Sequence, residues 1–358
     1  MKKIVLPAIV ALIVIFLLFL LPYLLPKKKF QLYSDSDLRK IALSRNMLPI
    51  PSTYKELLKV INNTKNPLTK DKILLGKQLF FDTALSKDRT ISCATCHILS
   101  NGGDDDRPTA IGYLGQKNPK HLNSPTVLNA ALAKAQFWDG RAKDVEEQAR
   151  GPIQAHFEMN LTQNEAIKRV KHNPYYVSMF KKNFPSGITF INITKAIGAY
   201  ERTLLTRSDY DKFLEGNNSA MSDKAKKGFG LFINLGCKGC HTGMSVGGQS
   251  IQKFPLRKCA SIYDLQCMSN NQKFPFENIG GFLGKDNQQK FRVPILRNIA
   301  RTSPYFHNGT VKKLEDAVKI MGRHQIGIEL TKEQTSDIVA FLKSLNGKIV
   351  DYNISVKK

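Results

Sequence analysis

Two short stretches of the chain, "CATCH" at 93–97 and "CKGCH" at 237–241, set a histidine directly after a Cys-x-x-Cys pair. Two thiols at that spacing can add across the two vinyl groups on one edge of a porphyrin while the next residue reaches the iron, so this is the pattern of c-type haem attachment. Cys93 and Cys96 would hold one haem and Cys237 and Cys240 a second, with His97 and His241 as the proximal ligands. Paired cysteines can also build a four-cysteine zinc site. The histidine after each pair and the long stretch between the pairs argue against it.

An electron-transfer c-type haem takes a second axial ligand, usually Met or His. Most of the eight methionines are expected in the core, but Met321, in "EDAVKIMGRHQIG", sits among polar and glycine residues downstream of the second motif. The segment after the first motif offers a single tyrosine, Tyr113, and one further histidine, His121, in "TAIGYLGQKNPKHLN". Three arrangements follow for that haem. Tyr113 binds ferric iron as a phenolate, as tyrosine does in catalase; His121 reaches in; or the face is open, with Tyr113 nearby. The open face is preferred, because a phenolate needs its pKa of about 10 lowered. Trp138 is the only tryptophan, in "AQFWDGRA", and its ordinary reading is a core aromatic. Gln148 and Glu158, in "VEEQARGPIQAHFEM", fall where a loop could cover a haem pocket, a solvated carboxylate being the usual alternative for Glu158.

The elements that must carry these residues read as helix and loop. "TQNEAIKRV" opens on a capping box, Thr162 with Glu165, and runs toward Pro174. "NITKAIGAYERTLL" aligns Ile193, Ile197, Tyr200 and Leu204 on one face, and "TKEQTSDIVAFLKSLNG", which again opens on a capping pattern, T-x-x-Q at Thr331 and Gln334, aligns Ile338, Phe341, Leu342 and Leu345. A G-x-x-L-F pattern precedes both motifs, "GKQLFF" at 76–81 and "GFGLFI" at 228–233, which suggests two related units. The polar, turn-rich Leu205–Ser222 segment reads as their connection. The expected fold is mainly α, two cytochrome c-like haem domains preceded by one transmembrane helix: an anchor or signal sequence at 1–30, a first haem domain at 31–210 and a second at 211–358.

The anchor rests on Ile4–Leu25, a 22-residue apolar run between lysines, long enough to cross a bilayer and lacking the short apolar core and small-residue end of a cleaved signal. Bacterial c-type haem attachment occurs on the outer side of the inner membrane, so the bulk of the chain is expected in the periplasm, tethered to that membrane, or free there if the segment is cleaved. That compartment permits disulfides. Cys259 and Cys267 are therefore expected to be bridged, two free thiols being the alternative. The net charge of +25 is scattered along the chain rather than gathered in blocks, which fits a solvated basic surface that could steer an acidic redox partner and does not indicate nucleic-acid binding.

"CATCHILSNGG", "PTVLNAALAKAQFWDGRAKDVEEQARGPIQAHFEM", "GAYERTL", "GCKGCHTG" and "FRVPILRNIARTSPYFHNGTVKKLEDAVKIMG" together resemble the bacterial dihaem cytochrome c peroxidases, over most of residues 75–345. The resemblance implies reduction of hydrogen peroxide with electrons from a cytochrome c or another periplasmic donor, quinol included, and a homodimer. It implies that the haem of His97 is peroxidatic and that the haem of His241, with Met321 as second ligand, receives the electrons. By the same resemblance Trp138 lies between the haems, Glu158 and Gln148 handle peroxide, and Asn123 with the carbonyls of Thr302 and Pro304 binds calcium. Two departures stand out. The family's distal histidine lies in an "IGH" where this chain reads Ile111, Gly112, Tyr113, with His121 eight residues further on, and an apolar anchor replaces the usual cleaved signal. The alternatives are a membrane-tethered dihaem electron carrier and a dihaem oxidase acting on a partner protein.

Overall fold

The structure, a computed structural model, describes residues 30–259 and 273–354. Over these residues the chain is mainly helical, with two short antiparallel strand pairs: Thr206–Arg207 on Lys348–Ile349, and Ile251–Lys253 on Lys290–Arg292. The expected capping boxes are present. Thr162 and Glu165 open the helix Gln163–Lys171, and Thr331 and Gln334 open Lys332–Ser344. The helix Phe190–Glu201 buries Ile193, Ile197 and Tyr200, and Leu204 is buried just past its end.

The G-x-x-L-F pattern turns out to mark two helix crossings. Lys70–Phe81 packs on Phe190–Glu201 so closely that a Cβ on Gly76 would lie 1.9 Å from the Ala196 carbonyl oxygen. Asp223–Asn234 packs on Lys332–Ser344 in the same manner, and a Cβ on Gly228 would lie 1.8 Å from the Asp337 carbonyl oxygen. The apolar residues that follow each glycine then fill the space beside the crossing. Phe80 packs edge-on against Tyr200 at 5.3 Å, while Phe229 stacks on Phe341 at 4.6 Å. Gly228→Ala is expected to lower stability by about 1–3 kcal/mol through overpacking, read as a fall in the denaturation midpoint at unchanged slope. A wild-type midpoint would mean that the helices can move apart at no cost.

A second repeat emerges once the backbone is seen. Asn129 and Asn298 take φ of 61° and 63°, and each opens a single 3-10 turn, Ala130–Leu132 and Ile299–Arg301. Phe137 and Phe306 follow at φ 67° and 68°, Gly140 and Gly309 at 70° and 61°, and isolated bridges Gln136↔Ala142 and Tyr305↔Val311 close the two loops. Trp138 and His307 occupy matching places in the two loops and meet edge to face, with ring centroids 6.5 Å apart.

Two expectations need correction. The segment read as a polar connection, Leu205–Ser222, contains the helix Asp209–Leu214, whose Tyr210, Asp211 and Phe213 are fully buried. Asp211 accepts from both guanidinium nitrogens of Arg297, Nη1 at 2.8 Å and Nη2 at 2.9 Å, which removes the reason for an acidic side chain to face water. The fold class is mainly α, as expected, but without the transmembrane helix: among the described residues no helix is long and apolar enough to cross a membrane. Ile4–Leu25, on which that helix was placed, lies outside the described residues. The inner membrane as a partner and a tethered location rested on that helix and are not borne out by the described residues.

Candidate haem sites

The second motif follows the helix Asp223–Asn234 through Gly236, at φ 85°, into the 3-10 turn Cys237–Gly239, which brings His241 back into the core. Cys237, Cys240, His241 and Met321 line one cavity of about 400 Å³, walled by apolar side chains such as Phe232, Leu235, Ile295, Val318 and Leu342. A volume of that order, apolar and with a few polar groups, suits a bound cofactor. Burial pushes His241 down to about 4, so its imidazole is neutral and able to ligate a metal. Met321 ends the helix Leu314–Met321, and the next turn, Gly322–Ile326, widens to π geometry, a distortion that recurs at functional positions.

The first motif forms one turn of helix, Cys93–Cys96, with Ser92 as its cap and His97 at its end. His97 Nδ1 lies 3.1 Å from the Gly103 carbonyl, the bond that fixes the tautomer and leaves Nε2 for a metal. Burial holds His97 below the ordinary imidazole range. Both histidines and all four cysteines, none of the latter in a disulfide, thus have the chemistry that covalent haem attachment needs. The pairs do not converge on zinc: no group of three or more His, Cys, Asp or Glu able to hold a metal ion is assembled among the described residues. Cys259 is disulfide-bonded, and Cys267 lies outside the described residues.

Around the first motif the chain assembles two of the expected residues. Glu158 is half-buried, and burial raises its pKa, opposed by the charge of Arg141. Its carboxylate in turn helps to raise the Cys96 thiol, whose shift comes mainly from burial, so Glu158 is close enough to the first motif to be felt there. The Tyr113 loop docks on the same segment: Tyr113 N–H donates to the Glu158 carbonyl at 2.7 Å, and a Cβ on Gly112 would lie 2.5 Å from Glu158 Cα. His121 sits elsewhere, packed with Lys120 at Gly280. Gln148 ends the short helix Val145–Gln148 and is half-buried, with no hydrogen bond to Glu158 among the described residues.

Trp138 belongs to the other neighbourhood. Its Nε1–H donates to the Asn123 carbonyl at 2.9 Å, and both residues line the His241 cavity together with Thr302 and Pro304. Asn123 is buried and donates Nδ2 to the Arg107 carbonyl at 2.7 Å, so its side-chain nitrogen is committed and its oxygen is the end left to serve as a ligand.

Several residues of these neighbourhoods escaped the sequence reading. Arg141, three residues after Trp138, lies over the Phe137 ring at 3.5 Å and acts on Glu158. Arg292 is buried beneath the Trp138 turn. Both oxygens of the fully buried Asp104, one oxygen of Asp105 and the Thr109 hydroxyl have no hydrogen-bond partner among the described residues. Burial, then Asp106 and Asp105, push Asp104 up to about 8. The run of three aspartates at 104–106 was the available signal, but such runs are ordinarily solvated.

A sequence model of the family described as "Di-haem cytochrome c peroxidase" matches residues 70–219. The cytochrome c551 peroxidase of Pseudomonas aeruginosa is 42% identical over 304 residues, which is 84% of each chain, and that of Nitrosomonas europaea is 44% identical over 293 residues, 81% of this chain and 84% of its own. Among solved structures, a MauG-like protein associated with microbial copper homeostasis superposes with a TM-score of 0.66 at 25% identity, covering 82% of this chain and 94% of its own. With two haem-attachment motifs in the matched frame, the chain belongs to the bacterial dihaem cytochrome c peroxidases, carries two c-type haems and is an oxidoreductase acting on hydrogen peroxide.

Proposed function

We infer that the two haem sites divide the work, with the His97 site reducing peroxide and the His241 site, where Met321 would be the second residue to hold the iron, receiving electrons from a cytochrome c or similar periplasmic donor. The single observation that carries this division is Glu158, a half-buried carboxyl with a raised pKa beside the first motif and not the second. Bound haem supplies an iron that takes peroxide and passes single electrons. Glu158 takes the proton from one peroxide oxygen and returns it to the other, so that water rather than hydroxide departs. Gln148 orients the peroxide. The balance is one peroxide, two electrons and two protons to two waters. Trp138, its indole held on Asn123, shortens the path between the two irons.

Calcium belongs to the same proposal. Asn123, with the carbonyls of Thr302 and Pro304, offers hard oxygen donors of the kind calcium takes. The unpartnered oxygens of Asp104 and Asp105 support a cation in that neighbourhood, since the Asp105 carboxylate reaches Ser124, next to Asn123.

Tyr113, held on the Glu158 backbone, would stand near the peroxide side of the first haem, and with His121 at Gly280 no histidine would close that side. The fully oxidised enzyme is therefore expected to show a high-spin haem, to bind cyanide and to turn over peroxide without prior half-reduction. Electron paramagnetic resonance and optical spectra of the oxidised protein, recorded before and after chelation of calcium, test this. Two low-spin haems and no reaction until half-reduction would refute the open face, and spectra and turnover indifferent to chelation would remove calcium.

A further inference from the structure

Arg292 is 5% exposed, and its side chain has no carboxylate partner among the described residues. Its Nε donates to the Phe137 carbonyl at 3.2 Å, and its backbone N–H donates to the Trp138 carbonyl at 2.8 Å. Nη1 has no hydrogen-bond partner among the described residues. A buried guanidinium without an anion is expensive, and such groups are normally paired. Two other deeply buried arginines show the ordinary solution: Arg297 is paired with Asp211 and Arg202 with Glu146 at 2.8 Å. Burial alone pulls Arg292 down to about 10.

The cavity that Arg292 lines is the one holding Cys237, Cys240, His241 and Met321. Its walls are apolar in the main, but a haem that enters it brings two carboxylates of its own. Guanidinium is the side chain best matched to a carboxylate, because its planar fork can give two parallel hydrogen bonds. We propose that Arg292 is the counter-ion of a propionate of the haem at His241, and that this pairing fixes the haem against the Trp138 turn and sets its affinity for electrons. Arg292 is thus a positioning residue: one guanidinium holds the backbone carbonyl of Phe137 and faces the cavity, joining the loop that carries Trp138 to the second haem. Its positive charge near the iron favours the reduced state, which carries one positive charge fewer, and pairing with the propionate cancels the propionate's opposite effect. The inference rests on the reading that His241 carries a haem.

The test uses the full chain with both haems attached. Midpoint potentials are measured by optical titration for wild type, Arg292→Gln, Arg292→Met and Arg292→Lys, with covalent haem counted as the pyridine haemochrome. The two neutral variants are expected to lower the potential of the methionine-ligated haem by at least the amount that shifts its oxidised-to-reduced ratio tenfold, about 59 mV for one electron. Arg292→Lys, which keeps the charge, is expected to stay within that amount of wild type. Loss of the second haem in both neutral variants with its retention in Arg292→Lys also supports the pairing. Unchanged potentials in a neutral variant with both haems overturn it, as does an equal fall, or equal haem loss, in all three variants, which would make the effect one of packing. A wild-type protein with haem only at the first motif would instead overturn the underlying assignment.

Discussion

Glu158→Gln lowers peroxide turnover with a reduced donor by about 10²–10⁴-fold, the range that a positioned proton-transfer group contributes, while both haems remain attached. The amide conserves volume and one hydrogen-bond acceptor but cannot take and return a proton. Burial raises the Glu158 pKa, with Arg141 opposing, so the native carboxyl holds a proton less reluctantly than a solvated one and can give it back within the pocket. The backbone is insulated from the change. Glu158 is held through its carbonyl, which accepts from Tyr113 N–H, and through its own N–H, which donates to the Ala155 carbonyl at 2.9 Å. Steady-state kinetics separate the outcomes: the loss is expected in kcat, with the optical spectrum of the oxidised protein and the midpoint potentials close to wild type. Full turnover in the variant would show that the carboxyl beside the first motif is not the proton carrier.

The largest effect on stability is expected at the buried pair. Arg297→Met lowers stability by about 3–5 kcal/mol, because it leaves the Asp211 carboxylate buried without its cation. That is a large fraction of the ~5–15 kcal/mol by which domains are stable. The pair joins segments far apart in the chain: Arg297 also donates to the carbonyls of Met244 at 2.6 Å and Leu48 at 3.3 Å, while Asp211 accepts from the N–H groups of Ile50 at 2.8 Å and Ser208 at 2.7 Å. The Arg297→Met and Asp211→Leu double variant is expected to recover part of the loss, since no charge is then stranded. Comparing denaturation midpoints at equal haem content checks both. A single variant with the wild-type midpoint would mean that water reaches Asp211. Although burial raises the Asp211 pKa, Arg297 and the hydrogen bonds hold it below its ordinary value. This contribution is therefore present above the unfolded carboxylate pKa of about 4 and is lost as pH falls through the lower native value.

Local patterns in the sequence carried much of this protein. Haem attachment was legible because it needs three residues within five positions, and both motifs are covalent chemistry written contiguously. Capping boxes and apolar stripes are equally local, and the helices beginning after Thr162 and Thr331 followed them. The G-x-x-L-F repeat was visible, although its reason was not. The glycines are required by helices that approach from the other end of each unit, and nothing near Gly76 or Gly228 in sequence announces Ala196 or Asp337.

Tertiary structure decided the rest, for the same physical reason each time: a polar side chain does not disclose its partner. Asp211 read as part of a solvated connection because the arginine that makes its burial tolerable comes 86 residues later. In sequence Arg292 is one more charge in a basic chain, and only the fold buries it under the Trp138 turn, with no carboxylate paired to it among the described residues. The loops of Asn129 and Asn298 share Asn, Phe and Gly at the same spacing, but only the backbone shows that these positions take matching positive φ values. Tyr113 lies between the two cases. Sequence identified it as the residue standing where the family keeps a histidine. Its contact with the backbone of Glu158, a non-local hydrogen bond, is what sets it beside that carboxyl residue.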